Sequence, residues 1–117
     1  THPLRGALFE NFVITELVKY RYNRLRRHNL MFFRDAKGHE VDALVSQADT
    51  VVPIEIKSSA TFRSEFFRGI EYFRNHVQPG PKGAVVYGGD RTEERSVGHV
   101  CTLFSVAETV KAILDGG

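Results

Sequence analysis

The sequence has one cysteine, Cys101, no tryptophan, four prolines and one methionine, Met31. A single cysteine excludes an internal disulfide and a thiolate zinc site. Long apolar runs are absent too. The longest are the four-residue stretches Leu30–Phe33 and Ala84–Tyr87. A membrane span needs about 20 apolar residues, and no apolar signal-peptide core lies near Thr1. The expectation is therefore a cytoplasmic protein with no membrane partner. No G-x-x-x-x-G-K-[ST] motif occurs, which excludes an ATP site of that kind within this chain. No internal repeat or low-complexity tract is visible. The chain starts at Thr1 rather than at methionine, which reads as a fragment of a longer protein.

What is present describes a soluble globular domain. Of 117 residues, 42% are hydrophobic and 26% are charged, a balance typical of a packed core. A chain of this length buries roughly 65% of its unfolded surface, so one domain over residues 1–117 is expected. The net charge of +2 is unevenly spread. Residues 1–34 carry seven Lys/Arg against two acids, Glu10 and Glu16, and the remainder is net acidic. Such an asymmetry permits a local anionic partner without making the whole domain a polycation.

Hydrophobic spacing predicts a helix over 6–27, with Leu8, Phe9, Phe12, Val13, Leu17, Tyr20 and Arg24 along its buried face. Leu30–Arg34 reads as a strand, and Asp35-Ala36-Lys37-Gly38 as a turn whose glycine tolerates positive φ. Two further strands, 39–46 and 51–57, are separated by a polar loop over 47–50. Phe62, Phe66, Ile70 and Phe73 mark a core-facing helix over 62–77, stopped by Gln78-Pro79-Gly80-Pro81. Strands over 83–88 and 97–104 flank a charged loop, 89–96. Ser105 and Glu108 read as a capping box opening a last helix. The expected order is α-β-β-β-α-β-β-α, an α/β (α+β) fold with a mixed central sheet flanked by helices.

The chemistry concentrates in Glu40-Val41-Asp42 and Pro53-Ile54-Glu55-Ile56-Lys57. Strand alternation puts Glu55 and Lys57 on one face, and Asp42 with Glu40 and Leu44 on one face. If Ser46 pairs with Val51, Asp42 lies opposite Glu55, and Asp42, Glu55 and Lys57 form a cluster. A one-residue slip destroys the arrangement. Two carboxylates about 5 Å apart repel by roughly 3 kcal/mol at an effective dielectric of 20. Lys57 offsets part of this, and a divalent cation offsets more, since carboxylate oxygens suit Mg²⁺ or Mn²⁺. The backbone carbonyl of Ile56 is a candidate further ligand. Glu10, beside the apolar face of the first helix, is a candidate fourth member. The chemistry this suggests is metal-assisted phosphodiester hydrolysis, with Lys57 orienting water or stabilising developing charge.

At these residues the chain resembles the PD-(D/E)XK nuclease fold, a restriction-endonuclease-like core. The texts Gly6-Ala7-Leu8-Phe9-Glu10-Asn11-Phe12-Val13, Phe33-Arg34-Asp35, Gly38-His39-Glu40-Val41-Asp42 and Ile54-Glu55-Ile56-Lys57-Ser58-Ser59 resemble the uncharacterised C-terminal domain of a group of prokaryotic AAA+ ATPases. The resemblance runs from about Arg5 to Gly88. It implies Asp42 and Glu55 as metal ligands, Lys57 as catalytic lysine, Glu10 as supporting acid and an AAA+ ATPase domain upstream. Val41 stands where the superfamily name has proline.

Plainer readings stand beside these. Asp42, Glu55 and Lys57 also fit an exposed strand face with a cross-strand salt bridge. Glu10 also fits an acid near a helix start, and Glu40 a solvated strand residue. The run Arg21, Arg24, Arg26, Arg27 fits either phosphate contact, with Tyr20 or Tyr22 for base stacking, or a solvated helix C-terminus. The five histidines show no metal-ligand spacing and read as surface or turn residues. Ser58 and Ser59 read as a turn, and Cys101 as a small core residue. A non-catalytic interaction module for an attached ATPase is the alternative from a different class, and a purely structural domain with a solvated charged face is the third.

Overall fold

A computed structural model describes residues 3–23 and 29–116. Arg24, Arg26 and Arg27 lie outside the described residues, and Arg21 is described in its backbone only. The elements are α1 (Pro3–Asn23), β1 (Asn29–Arg34), β2 (Glu40–Gln47), β3 (Thr50–Lys57), a 3-10 turn (Ser64–Phe67), α2 (Arg68–His76), β4 (Ala84–Tyr87), β5 (Glu93–Arg95), β6 (Gly98–Cys101) and α3 (Val106–Leu114). They form one mixed six-stranded sheet, in the order β1-β2-β3-β4-β6-β5, flanked by the three helices. No described helix is long and apolar enough to cross a membrane.

β1, β2 and β3 form the expected antiparallel meander. Gly38 takes φ +90° at the β1–β2 corner, a conformation open to glycine at little steric cost. β2 and β3 pair from Gln47↔Thr50 through Ser46↔Val51 to Ala43↔Ile54. The register is the expected one, but the loop is tighter than 47–50, since only Ala48 and Asp49 are left unpaired. Ala48 adopts φ +54°, as the two-residue turns that suit twisted hairpins demand. After α2 the chain enters the parallel pairs β3–β4 and β4–β6.

The sheet divides the core in two. On one side Val13, Leu17 and Tyr20 of α1 and Val106, Val110 and Ile113 of α3 meet Ala43, Val45, Val52, Ile54, Ile56, Ala84, Val86 and Cys101. On the other, Phe67, Ile70 and Phe73 meet Val85, Tyr87 and Val100 or Val41 and Leu44. Phe62 and Phe66 are partly buried beside them. Alternate side chains of the central strands are apolar on both faces, as strands covered on both sides require.

Four sequence expectations are corrected. Leu8 and Phe12 of α1 are about half exposed, with Leu4 and Val18 also outward. α1 is apolar around much of its circumference, so spacing could not select the buried side. The charged segment 89–96 contains β5, an exposed edge strand pairing with β6, so the order gains a strand. The helix over 62–77 is a 3-10 turn followed by a shorter α-helix. The capping box does not form. The Ser105 hydroxyl accepts the Thr102 N–H at 3.0 Å and bonds Thr92 Oγ1 at 2.8 Å, leaving the helix N-terminus without a side-chain cap.

Candidate active site

β2 and β3 are closed at their turn and open at the other end. Their backbone pairing stops at Ala43↔Ile54. Where the next pair would be Asp42 and Glu55, side chains take over. Asp42 Oδ2 accepts the Ile56 N–H at 2.8 Å, and Glu55 Oε1 accepts the Asp42 N–H at 3.4 Å. Buried backbone donors need acceptors, and ionised carboxylates are strong ones. The diverging strands therefore seat both acids at one point.

A bulge aims them. Met31 pairs with Leu44 but Phe33 with Val41, so Phe32 alone opposes both Asp42 and Ala43. An extra residue bends its strand and redirects side chains. Alternation would put Val41 on the side of Ala43 and Val45, yet it packs with Leu44 and Phe73. Asp42 was expected on the face of Glu40 and Leu44. It parts from Leu44 but not from Glu40, and lines a cavity with Glu40, Glu10 of α1 and Phe32 and Phe33 of β1. Glu55 and Lys57 line a second cavity of about 330 Å³ beneath the start of α2, and Glu40 borders both.

Lys57 Nζ lies 3.2 Å from Glu55 Oε2 and 5.7 Å from the centre of the Phe66 ring. Glu55 is only 7% exposed. Burial, then the repulsion of Asp42, pushes its carboxyl up to about 7, against the pull of Lys57. Burial also raises Asp42, which the Ile56 N–H and Lys57 partly offset. Glu10 is raised by burial and then by Asp42 and Glu40. It sits well inside α1, whose first turn holds no acid, so stabilisation by a helix start does not explain it.

The expected residues Glu10, Asp42, Glu55 and Lys57 are thus brought into one electrostatic neighbourhood. The two β-strand acids offer oxygen donors of the kind Mg²⁺ and Mn²⁺ take. The N–H and C=O of one strand residue point to the same neighbour. The Ile56 carbonyl therefore faces the same opening as its N–H. Among the described residues no three His, Cys, Asp or Glu side chains converge closely enough to hold an ion by themselves. Any ion here would draw its remaining ligands from that carbonyl, water and phosphate oxygens. Ser59 serves a turn, with its Oγ bridging to Thr61 and its carbonyl accepting the Gly88 N–H.

Sequence reading missed three contributors. Gly69 in α2 lets the helix approach β2 so closely that a Cβ there would lie 2.6 Å from the Glu40 carbonyl oxygen. His39 lines the same cavity as Glu55 and Lys57. Asp35 holds His39, with Nδ1 of the ring 3.1 Å from Asp35 Oδ2. The usable signal was an acid and a histidine four positions apart, facing each other across Ala36-Lys37-Gly38.

A search of the curated proteins finds no match. The family model of a domain of unknown function, DUF4143, matches residues 5–106. That span holds Glu10, Asp42, Glu55 and Lys57 together with the whole sheet, and the chain belongs to the DUF4143 family.

Proposed function

We propose that this domain is a nuclease-like module of the PD-(D/E)XK type, with a restriction-endonuclease-like core, that hydrolyses phosphodiester bonds of nucleic acid and is attached to an AAA+ ATPase. The observation that carries the reading is the opened end of the β2–β3 pair. There Asp42 and Glu55 are each anchored on the opposite strand, and Lys57 lies against Glu55. Asp42, Glu55 and the Ile56 carbonyl would hold Mg²⁺ or Mn²⁺. When bound, such an ion polarises the phosphate and lowers the pKa of a coordinated water. Lys57 stabilises charge developing on the phosphate oxygens, and the attacking water is oriented by Lys57 or Glu10. Arg21, Arg24, Arg26 and Arg27 contact the phosphate backbone, where cations add affinity without sequence choice.

The test is a cleavage assay on single- and double-stranded DNA and RNA with Mg²⁺ or Mn²⁺. Metal-dependent cleavage by the wild type, lost in Asp42→Asn and Lys57→Ala, is expected. An inert wild type, or variants that keep cutting, overturns the catalytic reading. The ATPase attachment rests on the resemblance of residues 5–88. It predicts a G-x-x-x-x-G-K-[ST] motif in the coding sequence upstream.

The outer face of α1 favours a second reading, a non-catalytic module through which the ATPase holds a protein or nucleic acid. Leu4, Leu8 and Phe12 are 67%, 51% and 52% exposed there, an apolar stripe of the kind that marks interaction surfaces. Nucleic-acid binding that survives Asp42→Asn without any cleavage selects this reading.

A further inference from the structure

The corner between β1 and β2 is more ordered than a surface turn needs to be. Asp35 Oδ1 accepts the N–H groups of Lys37 and His39 at 3.0 and 2.9 Å. Its Oδ2 meets His39 Nδ1 and accepts the Tyr72 hydroxyl, both at 3.1 Å. The His39 ring lies flat on Tyr72, centroids 3.7 Å apart and planes 6° apart, and His76 rests against Tyr72 at 4.7 Å. Four hydrogen bonds converge on Asp35, one of them from the His39 ring, and the stack on Tyr72 holds that ring, while its Nε2 has no partner among the described residues. His39 lines the cavity that also holds Glu55 and Lys57.

We propose that His39 is a phosphate-binding residue, oriented by Asp35, whose Nε2–H donates to a non-bridging oxygen of a nucleic-acid strand entering this cavity. The proposal rests on the reading of the cavity as a nucleic-acid site and adds a contact that no strand alternation would reveal. The chemistry follows from the fixed ring. Asp35 accepts from Nδ1–H, so the neutral ring carries its proton on Nδ1 and offers Nε2 as an acceptor. A phosphate oxygen needs a donor, which Nε2 supplies in the protonated ring, where both nitrogens donate.

The surroundings permit this. Glu40, Glu55 and Glu65 line the cavity, and Asp35 lies behind the ring. Lys57 and Arg68 line it too and supply further donors for the same phosphate. Tyr72 supplies stacking and a hydrogen bond to Asp35 rather than charge. Asp35 is a positioning residue and acts through His39.

The experiment uses a fluorescein-labelled 12-nucleotide single-stranded DNA in calcium buffer, with anisotropy read at pH 6 and pH 8. Histidine ¹⁵N spectra are recorded in parallel. The free protein should show the Nδ1–H tautomer of His39 at pH 8, and Asp35→Asn should abolish that preference. DNA should shift the His39 resonances and bind more tightly at pH 6. His39→Phe keeps the stack on Tyr72 but removes both nitrogens. It should weaken binding about tenfold at pH 6, as loss of a charge-assisted hydrogen bond does, and reduce the pH difference, leaving the part that belongs to Glu55 in the same cavity. Asp35→Asn, which retains an acceptor for the turn, should fall between the two.

Wild-type affinity in His39→Phe, or DNA that fails to bind or to shift His39, overturns the proposal. If His39→Phe binds normally while Asp42→Asn abolishes cleavage, only the histidine contact fails. If binding depends on His39 but nothing is cleaved, the contact stands and the hydrolytic reading fails.

Discussion

The two ends of the β2–β3 pair are built from one register but differently closed. At the turn, backbone pairs run without a gap from Gln47↔Thr50 to Ala43↔Ile54 over fully buried Val52 and Ile54. At the other end, Asp42 and Glu55 replace main-chain acceptors with carboxylates. The first end lowers the free energy of the fold by burying apolar surface. The second places acids where their ionisation is costly, with Glu55 raised to about 7. The two ends thus set stabilising packing against costly acids that carry the proposed chemistry, and single substitutions can break that contrast.

The largest expected effect lies at the open end and is on activity. Lys57→Ala should reduce metal-dependent cleavage about 10²-fold or more, the usual loss for one stabiliser of transition-state charge. Its melting temperature should change little, because Lys57 is half exposed. Single-turnover cleavage and thermal melts read the two quantities. A large loss of stability with unchanged cleavage would reverse the contrast.

At the closed end the effect is on stability. Ile54→Ala removes a fully buried side chain and should cost about 2–5 kcal/mol by chemical denaturation. A cost below about 1 kcal/mol would show that the packing there is not what holds the sheet.

The acids give a pH signature. A carboxyl whose folded pKa is raised contributes stability that is complete below its unfolded value near 4.5. That contribution is lost as pH rises through the folded value, about 7 for Glu55. Thermal stability in a chelator should therefore fall from pH 5 to pH 8, by at most about 3 kcal/mol from this group. Glu55→Gln should flatten the slope, and saturating Mn²⁺ should restore stability at pH 8. A slope that rises, or that survives Glu55→Gln, would place the ionisation cost elsewhere.

The smallest effect returns to the turn. Ala48 holds φ +54°, which Asn or Gly adopts more readily. Ala48→Asn should stabilise the fold by about 0.5–1 kcal/mol in denaturant unfolding. Cleavage should be untouched, since the turn lies at the far end of the hairpin. An altered cleavage rate would show that the two ends communicate.

Much of the fold was legible. The meander, its register, the crossover to β4 and the last helix follow from alternation, turn residues and helical spacing, all local properties. β5 was not, because Glu93–Arg95 is a polar edge strand whose only reason to be a strand is β6 beside it. The outward turn of Leu8 and Phe12 was hidden by apolar residues around α1. Ser105 and Glu108 matched a cap motif, but the Ser105 hydroxyl found better partners in Thr102 and Thr92.

Given a Ser46↔Val51 register, the sequence by itself set Asp42 opposite Glu55, two residues from Lys57, because strand side chains repeat every two residues. Only the tertiary structure decided how they meet. The bulge opposite Phe32 turned Asp42 toward Glu10, α2 closed over Glu55 at Gly69, and the packing of Tyr72 brought His39 to the same cavity. Those outcomes depend on residues far apart in the chain competing for the same space and the same hydrogen bonds, and no local pattern encodes that competition.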